Sequence, residues 1–264
     1  MKPESLKPPI AEGRTAEIYP WDKTHVLKLY RAWCPPDWVE YEARIAGAVH
    51  EAGIPSPARG EIVDVDGRRG LVYERLEGIS MLEEMNTRPW TFLKHARSLA
   101  DLQVQIHRQS IAGLPSYKDS LQSNIQRTEA LGGELREKAL ALLEALPDGQ
   151  SLCHGDFHPG NILLTRHGPV VIDWMTACSG SQWTDVARSS LLLSIGARSA
   201  GKMVSPFLRI FIQLYHRAYL HRYHIQNPGG KHEPERWRPV IAAARLNEGI
   251  LPEREALIQM VQEG

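Results

Sequence analysis

The feature that most constrains the fold of this chain is a change in hydrophobic periodicity near Gly78. Before this glycine the pattern is that of short β-strands separated by turns. These strand-like runs occupy residues 16–19, 26–30, 61–65 and 71–74. Asp66-Gly67, between the last two runs, is typical of a two-residue hairpin turn. The pattern therefore predicts a small N-terminal part that is rich in β-structure.

One helix is expected among these strands. Pro35-Pro36-Asp37 is typical of a helix start, and Gly53 and Pro55 end the helical pattern. An apolar stripe between them predicts the buried face of the helix. The stripe consists of Trp38, Tyr41, Ile45 and Val49.

After Gly78 the periodicity becomes that of helices. The predicted helical segments are residues 91–108, 121–131, 134–146, 185–197, 207–224, 235–247 and 253–262. Two short β-prone runs, residues 162–164 and 170–172, interrupt them and predict a second hairpin. We therefore expect an α+β protein with an N-terminal lobe of residues 1–77 and a larger, mainly helical lobe of residues 78–264. A cleft between two lobes is a natural ligand site.

The bulk composition excludes several classes of function. The chain has 264 residues with 31 basic and 31 acidic side chains, so its charge is not that of a nucleic-acid-binding protein. It has no run of 18 apolar residues and no apolar core near its first residues, so we expect neither a membrane span nor a secretory signal. Its three cysteines have no paired spacing, which favours a reducing cytoplasm and argues against a disulfide framework. The oligomeric state is left open.

The densest group of polar residues lies between His154 and Asn161, with Asp173 following twelve residues later. Transfer of a phosphoryl group needs a carboxylate to orient and deprotonate the attacking hydroxyl, hard oxygen ligands for Mg²⁺, a cation on the phosphates and a backbone loop over them. Asp156 can be the base, because it is expected on a tight loop just before the hairpin. A hairpin brings its two ends together, so the oxygens of Asn161 and Asp173 can share one magnesium ion.

The same segment resembles the catalytic loop of the aminoglycoside phosphotransferase and choline kinase-like families, which are distant relatives of protein kinases. The family pattern is His-Gly-Asp-(Leu/Phe)-His-x-x-Asn, followed by a strand that ends in Ile-Asp-(Trp/Phe). The residues that match it are His154, Gly155, Asp156, Phe157, His158, Asn161, Ile172, Asp173 and Trp174. The resemblance implies a two-lobed protein kinase-like fold, with Asp156 as the catalytic base and Asn161 and Asp173 as magnesium ligands.

The resemblance extends over roughly residues 10–190. Residues 11–19 resemble the hairpin that covers the phosphates, which implies nucleotide contacts at Gly13 and Thr15. Lys28 lies in a strand that resembles the one whose lysine contacts the nucleotide phosphates. Residues 71–78 resemble the strand and hinge that frame the adenine, which implies a nucleotide contact at Glu74. Asp185-Val186-Ala187 resembles the family segment that follows the metal aspartate.

Two acids compete to pair with Lys28, namely Glu40 and Glu42. Successive helix residues turn by about 100°, so Glu42 falls within about 40° of Trp38 on the predicted inward face. Glu40 falls near the opposite face. We therefore predict that Glu42 is the partner of Lys28.

Three further residues are expected to support the loop. His154 is predicted to brace it through hydrogen bonds, and Asp185 to hold its backbone. His158 occupies the position, two after the base, where protein kinases carry a lysine, and it can either approach the transferred phosphate or serve a structural role.

Two alternatives to a kinase are left open. In the first, His154, Asp156 and His158 form the metal site of a hydrolase. This alternative leaves Lys28, Asn161 and Asp173 without a role. In the second, the chain is a nucleotide-binding pseudoenzyme that serves as a scaffold. Such scaffolds usually lack one of the essential groups, whereas all are present here.

The expected reaction is therefore transfer of the γ-phosphoryl group of Mg-bound ATP, or alternatively of GTP, to a hydroxyl of a small-molecule acceptor. A polycationic aminoglycoside requires clustered carboxylates, but residues 201–245 carry eight basic and two acidic side chains. We therefore predict a neutral, zwitterionic or anionic acceptor. The sequence does not identify it. Glu248, Glu253 and Glu255 lie beyond the basic segment and are alternative sources of negative charge.

Overall fold

The computed structural model describes residues 8–199 and 206–264. Its internal contacts divide the chain into two compact units. The first unit comprises Met1–Glu83 and Gly160–Met175, and the second comprises Glu84–Pro159 and Thr176–Gly264. The hairpin predicted around residue 167 therefore groups with the first unit, although the sequence predicts it within residues 78–264.

The first unit contains a five-stranded antiparallel sheet in the order β1-β2-β3-β5-β4. Its strands are β1 (Ala11–Glu12), β2 (Ala16–Pro20), β3 (His25–Tyr30), β4 (Arg59–Val65) and β5 (Arg68–Glu74). The turn between β4 and β5 has positive φ at both central residues, 51° at Asp66 and 75° at Gly67. These angles suit a type I′ hairpin turn, as the sequence predicts.

Both faces of the central strand β3 are covered. Leu27 and Leu29 pack with Val72 on one face. Tyr30, which shares the other face with Lys28 because strand side chains alternate, packs with Val39 and other residues beneath helix α1 (Pro36–Glu51). The strand therefore presents Lys28 to a covered face rather than to solvent.

Helix α1 is where the sequence predicts it, but its buried face is rotated from the predicted stripe. Its buried residues are Val39, Glu42, Ala43, Ile45, Ala46 and Val49. Trp38, predicted to be inward, is 38% exposed and packs edge to face against Trp33 at 6.1 Å between ring centroids. The prediction for Trp38 is wrong because its neighbour Val39 takes the buried position. Glu42 still lies on the buried face.

A three-stranded sheet completes the first unit, in the order β6-β8-β9. Its strands are β6 (Gly78–Ser80), β8 (Ile162–Thr165) and β9 (Gly168–Val171). The pairing of Gly78 with Thr165 and of Ser80 with Leu163 ties the hairpin to the end of the N-terminal segment. This pairing explains why the hairpin groups with the first unit. Helix α2 (Met81–Thr87) follows β6 and was not predicted.

The second unit is built from helices. They are α3 (Phe92–His107), α4 (Tyr117–Arg127), α5 (Gly133–Ala145), α6 (Gln182–Ser199), α7 (Pro206–Gln226), α8 (Glu233–Arg245) and α9 (Arg254–Glu263). Helix α8 contacts α4, α5, α6 and α9, and its Trp237 and residues 240–244 are buried. A helix that is apolar on most sides belongs in the centre of such a core. None of the helices within the described residues is long and apolar enough to cross a membrane.

Two short strands lie beside the loop that begins at His154, which we call the central loop. They are β7 (Ser151–Cys153) and β10 (Cys178–Gly180), and they pair antiparallel with Cys153 opposite Cys178. The two thiols remain free. Strands of three residues show no measurable periodicity, which is why the sequence did not reveal β6, β7 or β10.

Candidate active site

The first unit contains a buried ion cluster centred on Lys28. Its ammonium lies 2.8 Å and 2.9 Å from the two carboxylate oxygens of Glu42 and 2.8 Å from Oδ1 of Asp173. Lys28 lies in β3 and Glu42 in α1, and Asp173 lies two residues after the end of β9. We call these three residues the lysine cluster.

Two tyrosines hold Glu42 in place. The hydroxyl of Tyr73 donates to Oε1 at 2.8 Å, and that of Tyr30 donates to Oε2. Glu40 points elsewhere and pairs with Arg69 at 2.5 Å in an exposed position. Of the two acids that compete for Lys28, Glu42 is therefore the one that contacts it. Sequence reasoning missed both tyrosines, although Tyr30 follows Lys28 by two residues and so shares its face of the strand.

The charges of the lysine cluster compensate for its burial. Burial by itself would lower the pKa of Lys28, but the carboxylates of Glu42 and Asp173 raise it above its usual value. Burial raises the pKa of Glu42, and Lys28 opposes this effect. Lys28 is consequently a permanent cation in the first unit.

Asp173 adopts an unusual backbone conformation directly after the hairpin. Its φ is 64°, a left-handed value that costs energy for a residue with a Cβ atom. Its carboxylate is 45% exposed. The amide of Ile172 donates to the carbonyl of Asn161 at 3.0 Å, so the two ends of the hairpin adjoin. The positions of Asn161 and Asp173 therefore agree with the hairpin geometry that the sequence predicts.

The residues predicted to contact the nucleotide lie at turns and strand ends of the first unit. Gly13 and Thr15 form the turn between β1 and β2, where the amide of Gly13 donates to the carbonyl of Ala16 and that of Arg31 to the carbonyl of Thr15, each at 2.8 Å. Glu74 ends β5, and its carboxylate accepts a hydrogen bond from the amide of Ala58 at 3.3 Å. These bonds fix the turn and the strand end.

The loop that begins at His154 is held by Asp185, which is fully buried on α6. Oδ1 of Asp185 accepts from the amide of Gly155 at 2.8 Å, and Oδ2 accepts from that of His154 at 3.2 Å. Gln103 and His107 of α3 each approach Oδ2 at 3.1 Å. Burial would raise the pKa of Asp185, but the hydrogen bond and charge of His107 lower it, so the carboxylate stays ionised.

The loop itself is tightly built. Gly155 has φ of 78°, and a Cβ atom there would come within 2.5 Å of the carbonyl oxygen of Thr176, so glycine is required. His154 is fully buried, and its Nδ1 accepts a hydrogen bond from the amide of Asp156 at 3.3 Å. The hydroxyl of Thr176 donates to the carbonyl of His154 at 2.9 Å. His154 thus braces the loop from inside.

Asp156 is held on two sides, and its side chain is 34% exposed. Nε2 of His158 lies 3.6 Å from Oδ2, and a guanidinium nitrogen of Arg188 lies 3.5 Å from Oδ1. The same nitrogen of Arg188 lies 2.6 Å from Glu248. Burial would raise the pKa of Asp156, but the contact with His158 and the charge of Arg188 hold it well below its usual range. We call these four residues the base cluster.

Sequence reasoning missed Arg188, and it named Glu248 only as an alternative source of negative charge. A signal for Arg188 existed, because it follows Asp185 by three residues and so lies on the same face of α6. No local pattern points to Glu248, which comes from the turn after α8.

The structure does not support a hydrolase metal site at His154, Asp156 and His158. Nδ1 of His154 is engaged by the amide of Asp156, and its ring packs against Phe157 in the interior. Across residues 8–199 and 206–264, no three His, Cys, Asp or Glu side chains are grouped as a metal site requires.

A unit with an antiparallel sheet and a buried lysine–carboxylate cluster, together with a larger helical unit, is the architecture of a kinase-like phosphotransferase. The model of the phosphotransferase enzyme family matches residues 9–229, and the chain belongs to that family. It is accordingly a phosphotransferase with an alcohol group as acceptor. A search of curated proteins found no significant match.

Solved structures confirm the predicted two-lobed α+β fold. A thermostable mutant of aminoglycoside phosphotransferase APH(4)-Ia, in complex with AMP-PNP and hygromycin B, has a TM-score of 0.67 at 17% identity and covers 99% of this chain and 94% of its own. Aminoglycoside-3'-phosphotransferase of type VIII has a TM-score of 0.61 at 20% identity and covers 93% of each chain. The amicoumacin kinase hAmiN, in complex with AMP-PNP, Ca²⁺ and Ami, has a TM-score of 0.67 at 12% identity, and the match covers 100% of this chain and 88% of the kinase chain.

Proposed function

We propose that this phosphotransferase moves the γ-phosphoryl group of Mg-ATP to a hydroxyl of a small metabolite, with Asp156 as the base. The observation that carries the proposal is the contact of one buried lysine, Lys28, with both Glu42 and Asp173. In protein kinases the lysine that contacts the nucleotide phosphates is paired with a glutamate, and an aspartate holds Mg²⁺. In this proposal residues 1–77 form the nucleotide-binding lobe and residues 78–264 the catalytic and acceptor-binding lobe.

Lys28 is suited to contact phosphate. Its pKa is raised, so the side chain stays charged. The hydrogen bonds from two tyrosines hold Glu42 in place, so Glu42 does not move with Lys28 when the lysine contacts a phosphate. In this proposal Gly13 and Thr15 cover the phosphates through the backbone of their turn, and Glu74 ends the strand that frames the base of the nucleotide. Structural neighbours in complex with AMP-PNP support ATP as the donor. GTP remains an alternative donor.

The chemistry of Asn161 and Asp173 fits a magnesium ion. Mg²⁺ prefers oxygen ligands and is usually held by one or two protein carboxylates together with phosphates and water. A carboxylate that is half exposed and an amide from the adjoining end of the same hairpin form such a donor set. When bound, the ion neutralises charge on the phosphates.

Asp156 is suited to act as the base. Its lowered pKa keeps the carboxylate ionised at neutral pH, so it can accept a hydrogen bond from an acceptor hydroxyl and take its proton as the phosphoryl group is transferred. His154 and Asp185 support the loop that carries it, and His158 restrains its carboxylate from one side.

The ion pairs of the second unit support an acceptor that is not a polycation. Arg222 and Arg236 of the basic segment are neutralised by Asp101 and Glu233. Arg245, at the end of the same segment, pairs with both Glu248 and Glu253. Two of the three acids that could attract a polycationic aminoglycoside, Glu248 and Glu253, are thus already bound to an arginine. The preferred acceptor in this proposal is a neutral, zwitterionic or anionic hydroxyl compound, although neighbouring structures contain hygromycin B.

A screen of Mg-ATP consumption tests the proposal. Purified protein is offered a panel of sugars, amino alcohols, hydroxy acids and aminoglycosides, with ATP or GTP as donor, and phosphorylated products are identified by mass spectrometry. The Asp173→Ala variant serves as the control and should lose Mg-dependent turnover. Efficient turnover of kanamycin-type compounds at micromolar concentrations contradicts the acceptor class. Mg-dependent nucleotide binding without any product supports a scaffold instead.

A further inference from the structure

Helix α6 contacts the central loop at two points on one face. Asp185 binds the loop backbone through the amides of His154 and Gly155. Arg188, three residues later, reaches the side chain of Asp156 at 3.5 Å. One helix therefore sets both the course of the loop and the surroundings of its carboxylate.

Arg188 is itself anchored by Glu248. The distance from its guanidinium to Glu248 is 2.6 Å, shorter than the 3.5 Å to Asp156, and the arginine side chain is only 13% exposed. A buried guanidinium requires a carboxylate partner, and the closer of the two carboxylates dominates its position. Glu248 therefore determines where the charge of Arg188 lies.

Glu248 is fixed in turn from the other side. Arg245 donates to Oε2 of Glu248 at 2.9 Å and binds the buried Glu253 at 2.5 Å and 3.0 Å. Because this bidentate pair is nearly excluded from solvent, Arg245 is a rigid support. The chain of charges runs from Glu253 through Arg245, Glu248 and Arg188 to Asp156.

We propose that Arg188, held by Glu248, is a positioning residue that restricts the carboxylate of Asp156 to the orientation in which it receives the acceptor hydroxyl. This inference rests on the proposed function of Asp156 as the base. The unequal distances are suited to the task. A contact to Asp156 as short as that to Glu248 would bind a carboxylate oxygen of Asp156 tightly to Arg188. The longer contact limits the rotation of this carboxylate but binds its oxygen less strongly than an acceptor hydroxyl would. His158 limits the carboxylate from the side of Oδ2.

The kinetic test uses Arg188→Met, Glu248→Gln and the double variant, with the acceptor that the screen identifies. A displacement of the base by about 1 Å can reduce turnover by about 10²-fold, so we expect kcat to fall by up to this factor in Arg188→Met while KM for ATP stays unchanged. Because Glu248 acts through Arg188, the double variant should lose no more than Arg188→Met alone. Arg188→Lys should recover part of the loss. Multiplicative losses in the double variant, or a kcat within threefold of the parent in both single variants, would overturn the proposal.

Arg222→Gln is the matched control. Arg222 is an arginine of the same unit and pairs with Asp101 at 2.7 Å, but it does not belong to the base cluster. We expect parental kcat and a change in Tm no larger than that of an exposed ion pair. The Arg188→Met protein should fold, because Glu248 keeps its bond to Arg245. If it does not fold, the Arg188→Lys and Glu248→Gln proteins provide the same comparison.

Crystal structures of the parent and Arg188→Met proteins test the positioning claim without any acceptor. The carboxylate of Asp156 should shift or split between conformers in the variant, while the two backbone bonds to Asp185 persist. An unmoved carboxylate would refute the claim. If the screen finds no acceptor, the proposed function fails, and this measurement still decides whether Arg188 positions Asp156.

Discussion

The lysine cluster and the base cluster both hold ionised side chains that are largely removed from solvent, but they surround them differently. In the first unit, Lys28 and Glu42 are almost completely buried, and the contacts among the charged groups are 2.8 Å to 2.9 Å. In the second unit, Asp156 is one-third exposed, and Arg188 and His158 lie 3.5 Å and 3.6 Å from its carboxylate. Lys28 is thus held by short contacts in a buried position, whereas the contacts of Asp156 with Arg188 and His158 are longer and its carboxylate is partly exposed.

The difference matches the two tasks proposed for the clusters. A cation that receives phosphate must keep its charge and position before the substrate arrives, and preorganisation of this kind requires short bonds inside a packed region. A base must exchange a proton with an acceptor, so its oxygens need access. We therefore expect loss of Lys28 to reduce folding stability and changes at Asp156 to reduce turnover with little loss of stability.

The largest effect should follow from Asp156→Asn. The amide keeps the shape of the side chain but cannot accept the proton, so kcat should fall by about 10²–10⁴-fold while nucleotide affinity is retained. Steady-state kinetics and calorimetric nucleotide titration measure the two quantities. Near-normal turnover with the true acceptor would remove Asp156 from the role of base.

Lys28→Met should mainly destabilise the protein. It leaves the buried carboxylate of Glu42 without its cation, and breaking a buried ion pair typically costs about 3–5 kcal/mol. Urea denaturation of the variant and of Lys28→Met/Glu42→Gln measures this cost. The double variant should be the more stable of the two, because no uncompensated charge remains. A single variant as stable as the parent would show that the cluster is not tight.

Asp185→Asn should lower the free energy of unfolding by about 1–3 kcal/mol, because the carboxylate accepts hydrogen bonds from two backbone amides of the loop. Since the pKa of Asp185 is lowered in the folded protein, its stabilising contribution is complete above its unfolded value, about 3.9, and is lost as the pH falls toward the folded value. The difference in unfolding free energy between parent and variant should therefore narrow below about pH 4. A constant difference from pH 7 to pH 3 contradicts this assignment.

The smallest effect should come from Glu40→Gln. Its pair with Arg69 is exposed, and such pairs contribute about 0–1 kcal/mol. The variant is a natural control for changes at Glu42, since both acids lie on α1. A loss of nucleotide affinity in Glu40→Gln as large as that in Glu42→Gln would show that burial does not distinguish the two.

Several elements were predictable because their signals are local. The hairpin turn at Asp66-Gly67 and the strand that carries Lys28 follow from short patterns. The buried face of α1 differs by one residue from the predicted face, because Val39 takes the buried position that the pattern predicts for Trp38. Periodicity identifies a face to within about one residue, and the neighbouring packing decides which of two apolar side chains is covered.

The sequence alone determined which groups are available for chemistry, because the loop from His154 to Asn161 and the strand end at Asp173 are continuous motifs. Only the tertiary structure decided which partners those groups receive. Glu42 bonds to two tyrosines from different strands, and Asp156 to an arginine that is anchored by Glu248. Such partners come from separate elements, and their proximity depends on packing over the whole unit, which no local pattern encodes.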